Sequence, residues 1–341
     1  MRVILSMVLA VAMPSVERGQ WADLSSVASR GVPLNPTELD DLRRGHVVVK
    51  VLEPQRTSEI AVFVGSRIAV GPERFFEAVQ QSAKLWRGPK VPRTDSFSSP
   101  LRFADVDTMQ LPGRDLEALR HCRPGDCEVK LTASEMERLR AAIDRSGSLW
   151  RPATQAAFRS LVLDRIRAYR SSGLAGLEPL HDHVSAVAPH LAFSQIAAGS
   201  QLSAGAVVPL VEYLSNYPRA LSDTRAEHMY WLEVIDAPKP TIQASHIVIE
   251  RLQDGGAIEV AAAARQIFAT HYVNASLSVT VLVRTRSGER FMLYLNRSSV
   301  DGLSGLLADL KRLFVHRRVR HAAHAAFEHL KRRIESFDTT P

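Results

Sequence analysis

The residues able to do chemistry in this chain are scattered, and no signature motif gathers them. Leu180-His181-Asp182-His183 has a His-x-His spacing, which a metal site can use when alternate residues share the face of a strand or loop. The surroundings read as helical, a third ligand would have to come from His190, and no catalytic carboxylate pattern is attached. Histidines beside an acid on a solvated helix end are the plainer reading, so no metal is assigned. His271-Tyr272 falls between two expected strands. Tyr230, Trp231, Tyr272 and Tyr294 offer apolar bodies with polar tips, and with His271 they are candidates to line a cavity. Ordinary core packing is the competing account. Asn296, Arg297 and Asp301 cluster where the last strand meets a long helix. There Arg297 could hold an anionic head group by a bidentate contact, or pair with Asp301 while Ser298 or Ser299 caps the helix. No Gly-x-Ser-x-Gly elbow and no phosphate-cradling Gly-rich loop with a following lysine occurs. The sequence therefore yields no catalytic set, and no cofactor is expected.

The two cysteines sit in Cys122-Arg-Pro-Gly-Asp-Cys127. Pro124-Gly125 suits the centre of a type II turn, because proline fixes φ and glycine supplies a positive one. That turn brings Cys122 and Cys127 together, so a disulfide is geometrically easy, with two reduced thiols as the alternative. Residues 1–20 read as a short secretory signal peptide: Met1-Arg2, an apolar stretch to Met13, and the small-residue pattern Ala10-Val11-Ala12 before Pro14. An ordinary buried helix is the other possibility there. Export to a periplasmic or extracellular compartment would favour the oxidised pair. No stretch approaches the ~20 apolar residues of a membrane-spanning helix.

Charge is concentrated. Between Lys311 and Arg333 there are eight basic residues (Lys311, Arg312, Arg317, Arg318, Arg320, Lys331, Arg332 and Arg333) against one acid, Glu328. That one segment accounts for the net charge of +7, and the remainder is near neutral. The pattern points to a single cationic face on one long helix, roughly Leu303 to Phe337, with Arg312, Arg317, Arg318 and Arg320 facing an anion or an anionic membrane surface. A merely solvated helix face is the alternative. Aromatic residues are not interleaved with the basic ones, as a nucleic-acid stacking platform would require, so nucleic acid is not an expected partner.

The elements that must position these groups read as α+β. Asn35 caps a helix with Pro36 at its first position, and Gly45 ends it. Strands follow at His46–Leu52 and Glu59–Val70, then a helix from Gly71 to about Trp86. The middle is helical: a capping-box pattern at Ser134 and Glu137 starts one helix, a second spans about Pro152–Ser171, and shorter pieces lie near 182–197 and 206–216. From Glu227 the period changes to two, through about Leu295. In the clearest strand Leu277, Val279, Val281 and Val283 share one face and Ser276, Ser278 and Thr280 the other. This predicts a curved antiparallel sheet covered on one side. Residues 257–272 are read as a strand, although Ala261–Ala264 would equally suit a helix. The expected divisions are 1–20, 46–100 (strands and helix), 101–226 (a largely helical insertion) and 227–338 (meander plus long helix).

An early strand leading to a helix, a late meander and a closing C-terminal helix resemble the helix-grip architecture of the START-like, polyketide-cyclase-like superfamily. The resemblance rests on element order over Glu59–Trp86 and Glu227–Phe337, and the long helical insertion departs from it. It implies a protein that binds a lipid or other apolar small molecule between sheet and helix. An enzyme on the same scaffold, a hydrolase or cyclase using His271 with Asp301 or Glu250, is the alternative. A non-catalytic scaffold that uses the helical middle as an interface is the third.

Overall fold

The computed structural model describes residues 32–198, 205–219, 222, 225–252, 256–303 and 308–337, and side chains for all of these except 308–315. The expected signal peptide and the side chain of Arg312 lie outside those residues. Helix α1 (Pro36–Arg44) starts and stops as its sequence requires. Asn35 and Glu38 form a reciprocal capping box, and Gly45 closes the helix at φ 84°. Strands β1 (Val48–Leu52) and β2 (Glu59–Arg67) follow. The expected helix from Gly71 to Trp86 is broken into α2 (Pro72–Gln80) and α3 (Ser82–Trp86). Ser82 Oγ donates back to Val79 O at 2.6 Å, competing with the backbone ladder where the two helices meet.

Strand β3 (Thr94–Ser96) precedes the helical middle: α4 (Gly113–Leu119), α5 (Ala133–Arg145), α6 (Trp150–Ser172), α7 (Pro189–Ala197) and α8 (Val208–Ser215). The capping box of α5 lies two residues earlier than expected. Thr132, not Ser134, is the cap, and Glu135 returns the bond to Thr132 N at 2.8 Å. Ser134 instead donates to Glu178 at 3.0 Å. Helix α6 ends at Gly173, where φ is 60° and a Cβ would come within 1.8 Å of the Tyr217 carbonyl oxygen, so only glycine fits.

Strands β4 (Arg225–Val234), β5 (Thr241–Arg251), β6 (Ile258–Ala269), β7 (Val273–Arg284) and β8 (Arg290–Val300) form the meander, and α9 (Ala308–Glu335) follows. All eight strands make one antiparallel sheet in the order β1-β2-β8-β7-β6-β5-β4-β3. Bulges in β6, at Glu259 and Ile267, and in β7, at Asn274, bend it. The alanine run is strand, because β5 and β7 supply partners on both sides and tertiary pairing overrides helix preference.

The sheet is covered on both faces, not on one. Tyr230, Leu232, Ile247, Ile249, Ala262 and Met292 pack under α2, α3 and α9 through Phe75, Val79, Leu85, Phe327 and Ile334. On the other face Leu277, Val279, Val281, Leu293 and Leu295 pack under Leu42 of α1, Phe193 of α7 and Leu210 of α8. Further along that face Met229, Trp231 and Ala244 meet Leu116, Leu139, Phe158 and Ile166 of α4–α6. The apolar row of β7 therefore faces the helices of the middle region. Its serine and threonine row faces the side of α9. Alternation showed two chemically different faces, but it could not show that the polar one would also be roofed.

Candidate functional site

A cleft of about 60 Å³ lies between the sheet and α9. Its walls are Val79, Ser82, Leu85 and Trp86 from α2 and α3, and Phe327, Leu330 and Ile334 from α9; its floor is Tyr230, Ile247, Ala262, Ala264, Ser278, Thr280, Met292 and Tyr294. The alanines of β6 give it depth, since larger side chains there would fill it. Burial raises both tyrosine hydroxyls, Tyr294 to about 12 and Tyr230 further still, so both stay neutral donors. Beside the cleft, Asn296 Nδ2 donates to Ser276 Oγ at 2.8 Å, and Ser298 Oγ lies 2.9 Å from Ser276 Oγ and 2.7 Å from Asn296 Oδ1. These hydroxyl and amide groups are half-buried on the sheet face that carries Ser278 and Tyr294.

The floor continues as a cross-strand row, His228–Ile247–Ala264–Ser278–Asn296. His228 lies beside Tyr230, with ring centroids 5.7 Å apart. Its Nε2 is buried without a hydrogen-bond partner, and burial pushes the imidazole pKa down to about 4. Isolated polar atoms of this kind call for an explanation.

Of the aromatic and polar residues named from sequence, Tyr230 and Tyr294 meet in this cleft. Trp231 points the other way, fully buried, and its Nε1 donates to Asp105 O at 2.8 Å. Arg297 is also on that opposite side, ion-paired with Glu59, both side chains buried. The alternative pairing of Arg297 with Asp301 is thus replaced. Tyr272 sits at the β6–β7 turn with φ 62°, a strained value for a non-glycine residue. Its hydroxyl accepts from Lys239 N at 2.9 Å, and its carbonyl accepts from Asp301 N at 2.8 Å. His271 has both ring nitrogens occupied, by Asp115 at 2.8 Å and the Glu128 carbonyl at 2.9 Å. The dyads of His271 with Asp301 or Glu250 do not form: Asp301 lies 2.6 Å from Lys130 Nζ, and Glu250 lies 3.0 Å from Arg225.

The His-x-His segment is divided. His181 Nδ1 faces the Pro179 carbonyl, while Asp182, His183 and Asp301 come within ligand reach of one another. Lys130 occupies the centre of that group. Its ammonium is 3.0 Å from Asp182, 2.6 Å from Asp301 and 2.7 Å from Asn274 Oδ1, and its side chain is 2% exposed. A buried lysine thus supplies the positive charge there, and His190 lies outside the group. The Cys122 and Cys127 sulfurs are at bonding distance, and Gly125 has φ 89° as the turn requires. Their loop is tied to the same segment, Gly125 N to His181 O at 2.7 Å and Cys127 N to Asp182 O at 3.0 Å.

A second polar network was invisible in the sequence. Tyr169 O–H donates to His246 Nδ1 at 2.8 Å, and His246 Nε2–H donates to Glu227 at 2.8 Å. Tyr213 O–H donates to the same carboxylate at 2.6 Å. Burial would raise Glu227, but the bonds from His246 and Tyr213 hold it below its ordinary value; burial pushes His246 down and keeps the imidazole neutral. Arg265, 1% exposed, stacks between the rings of Tyr169 and Phe193 at 5.0 and 4.4 Å, and burial lowers it to about 10. On α9, Arg317, Arg318 and Arg320 are exposed and have no ion-pair partner among the described residues.

No protein-family model matches the chain, and no curated protein matches its sequence. Among solved structures, the Zhui aromatase/cyclase from Streptomyces sp. R1128 matches at 14% identity and a TM-score of 0.25, over 43% of this chain and 86% of that one. A protein from Thermus thermophilus matches at 12% identity and 0.24, over 43% and 88%. Ara h 8.0201 matches at 12% and 0.22, over 44% and 91%. These are partial likenesses, and they assign no family.

Proposed function

We propose that this is a binding protein for a lipid or other apolar small molecule, held between the sheet and α9. The observation that carries the reading is the roofed sheet face itself. It combines a cleft walled in part by Trp86 and Phe327, alanines at its centre, and the hydroxyls of Ser278, Thr280, Tyr230 and Tyr294 on its floor. At about 60 Å³ the cleft is smaller than the ~300–1,000 Å³ of ordinary ligand pockets, so loading requires α9 to swing outward. Among the described residues, polar bonds hold α9 at its C-terminal end, beside the cleft, and loading must loosen them. Lys331 Nζ donates to Gly45 O and Ser66 Oγ at 3.2 and 3.1 Å, Arg333 donates to Lys84 O at 3.0 Å, and Glu335 accepts from Ala69 N at 3.2 Å. Native mass spectrometry and solvent extraction of protein purified from its own host should reveal a co-purifying apolar molecule. A protein that carries none, and whose melting temperature no apolar probe raises, would refute the reading.

Arg317, Arg318 and Arg320 favour a second element, docking on an anionic membrane from an exported location. Each basic residue near such a surface is worth ~1 kcal/mol, so replacing all three with glutamate should weaken binding to phosphatidylserine vesicles by roughly a hundredfold or more. Unchanged vesicle binding would remove the membrane from the account. Among the described residues no helix is long and apolar enough to cross one.

A further inference from the structure

The floor of the cleft decides what kind of molecule it takes, and this inference rests on the binding reading above. No lining residue carries a formal charge at neutral pH. A carboxylate, phosphate or ammonium placed here would lose its hydration and meet no counter-charge, which is strongly disfavoured. The polar groups of this sheet face are not all alike. Beside the cleft Ser276, Asn296 and Ser298 satisfy one another. Thr280, which lines the cleft, is half-buried, and its hydroxyl has no hydrogen-bond partner among the described residues. Strand register sets Thr280 directly between Ala262 of β6 and Tyr294 of β8. Opposed side chains on one sheet face start about 5 Å apart, and that of Ala262 ends at its Cβ. The Thr280 side chain therefore borders the hollow that the alanine leaves, and Ser278 with Ala264 repeats the pairing two residues along.

We infer that the cleft selects uncharged molecules carrying a hydroxyl or carbonyl oxygen on an apolar body, with that oxygen bonded to the Thr280 hydroxyl and the body lying over Ala262 and Ala264 beneath α9. A threonine hydroxyl both donates and accepts, so either kind of oxygen suits it. A fully apolar occupant would cover the hydroxyl and leave it unpaired, which penalises that occupant as well as favouring the other. Thr280 is thereby a specificity-determining residue, distinct from Trp86 and Phe327, whose rings supply contact area.

Three probes with the same ring and methyl group separate the possibilities: toluene, p-cresol and p-toluate, titrated calorimetrically into the full chain at pH 7.5. The wild type should prefer p-cresol over toluene by roughly five- to tenfold, and should bind p-toluate at least about tenfold more weakly than p-cresol. Thr280→Val keeps the shape of the side chain and removes its hydroxyl. It should erase the preference for p-cresol and bind toluene at least as tightly as the wild type does. Thr280→Ser, which keeps a hydroxyl, should retain the preference, and Thr280→Ala provides the measurement if the valine variant fails to fold. Equal affinity for p-cresol and toluene in the wild type, equal or tighter binding of p-toluate, or a preference that survives loss of the hydroxyl overturns the inference while leaving the cleft as a binding site. Binding of none of the three by the wild type refutes the cleft reading, and this inference falls with it.

Discussion

Acid should destabilise this fold through His228 by an amount that can be separated from every other group. Burial holds its folded pKa at about 4, against 6.5 for an unperturbed histidine. The unfolded chain therefore binds a proton at a pH where the folded one does not, so folding stability is complete above pH 6.5 and falls as the pH drops towards 4. With those two values the loss is negligible at pH 7.5, about 1 kcal/mol at pH 5.5 and about 2–3 kcal/mol at pH 4.5. His246, which burial also lowers, acts in the same direction, and carboxylates add their own dependence, so the wild-type profile alone decides nothing. The informative quantity is the difference between wild type and His228→Gln. Reversible urea unfolding at the three pH values should show the variant losing about 2–3 kcal/mol less than wild type between pH 7.5 and 4.5, whatever its offset at pH 7.5. A difference in slope below about 1 kcal/mol would mean that His228 is already protonated in the folded protein, or hydrated, and would refute the reasoning.

Three further outcomes follow from geometry described above. Lys130→Met should cost about 3–5 kcal/mol by urea unfolding, since it leaves Asp182 and Asp301 together without their cation; a loss below about 1 kcal/mol would mean that solvent reaches them. Gly173→Ala should be among the most damaging single-methyl changes in the chain, because the Cβ collides with the Tyr217 carbonyl; thermal melts with wild-type stability would show that the α6–α8 junction relaxes freely. Peptide mapping without reductant should recover Cys122 and Cys127 joined, and replacing both with serine should cost at most ~2 kcal/mol because the closed loop is short. Two free thiols in protein from its native compartment would count against both the disulfide and export.

Local rules carried the secondary structure a long way. The Asn35–Pro36 start, the Gly45 stop and the two rows of β7 follow from residue types and spacing that act over a few positions. The site was legible only in part, for a reason written in the strand period. Tyr230 and Trp231 are adjacent on one strand, so only one of them can face α9, and the same parity separates Tyr294 from Arg297. Choosing the member that lines the cleft required knowing which face lay under α9. Ser278 and Thr280 were visible as a polar row, but a polar row normally faces water, and nothing local shows that a helix will roof it. His246 finds its partners at residues 169 and 227, and Lys130 finds Asp182 and Asp301, so no window of sequence contains either network.

The pairing of β2 with β8, which joins Glu59 to Ser299, sets an order of events during synthesis. The strands made first, β1 and β2, form one margin of the sheet, and β3, the other margin, pairs with β4 through Thr94 and Leu232. Both margins are thus translated before any of the strands between them. A nascent chain paused before residue 225 carries the β1–β2 pair and β3 without their other neighbours, and β2 gains its second partner only when β8, the last described strand, is made. Contacts so distant in sequence slow folding and leave unpaired edges exposed meanwhile. The sheet is therefore complete only once β8 is made, and one edge of β2 stays open until then.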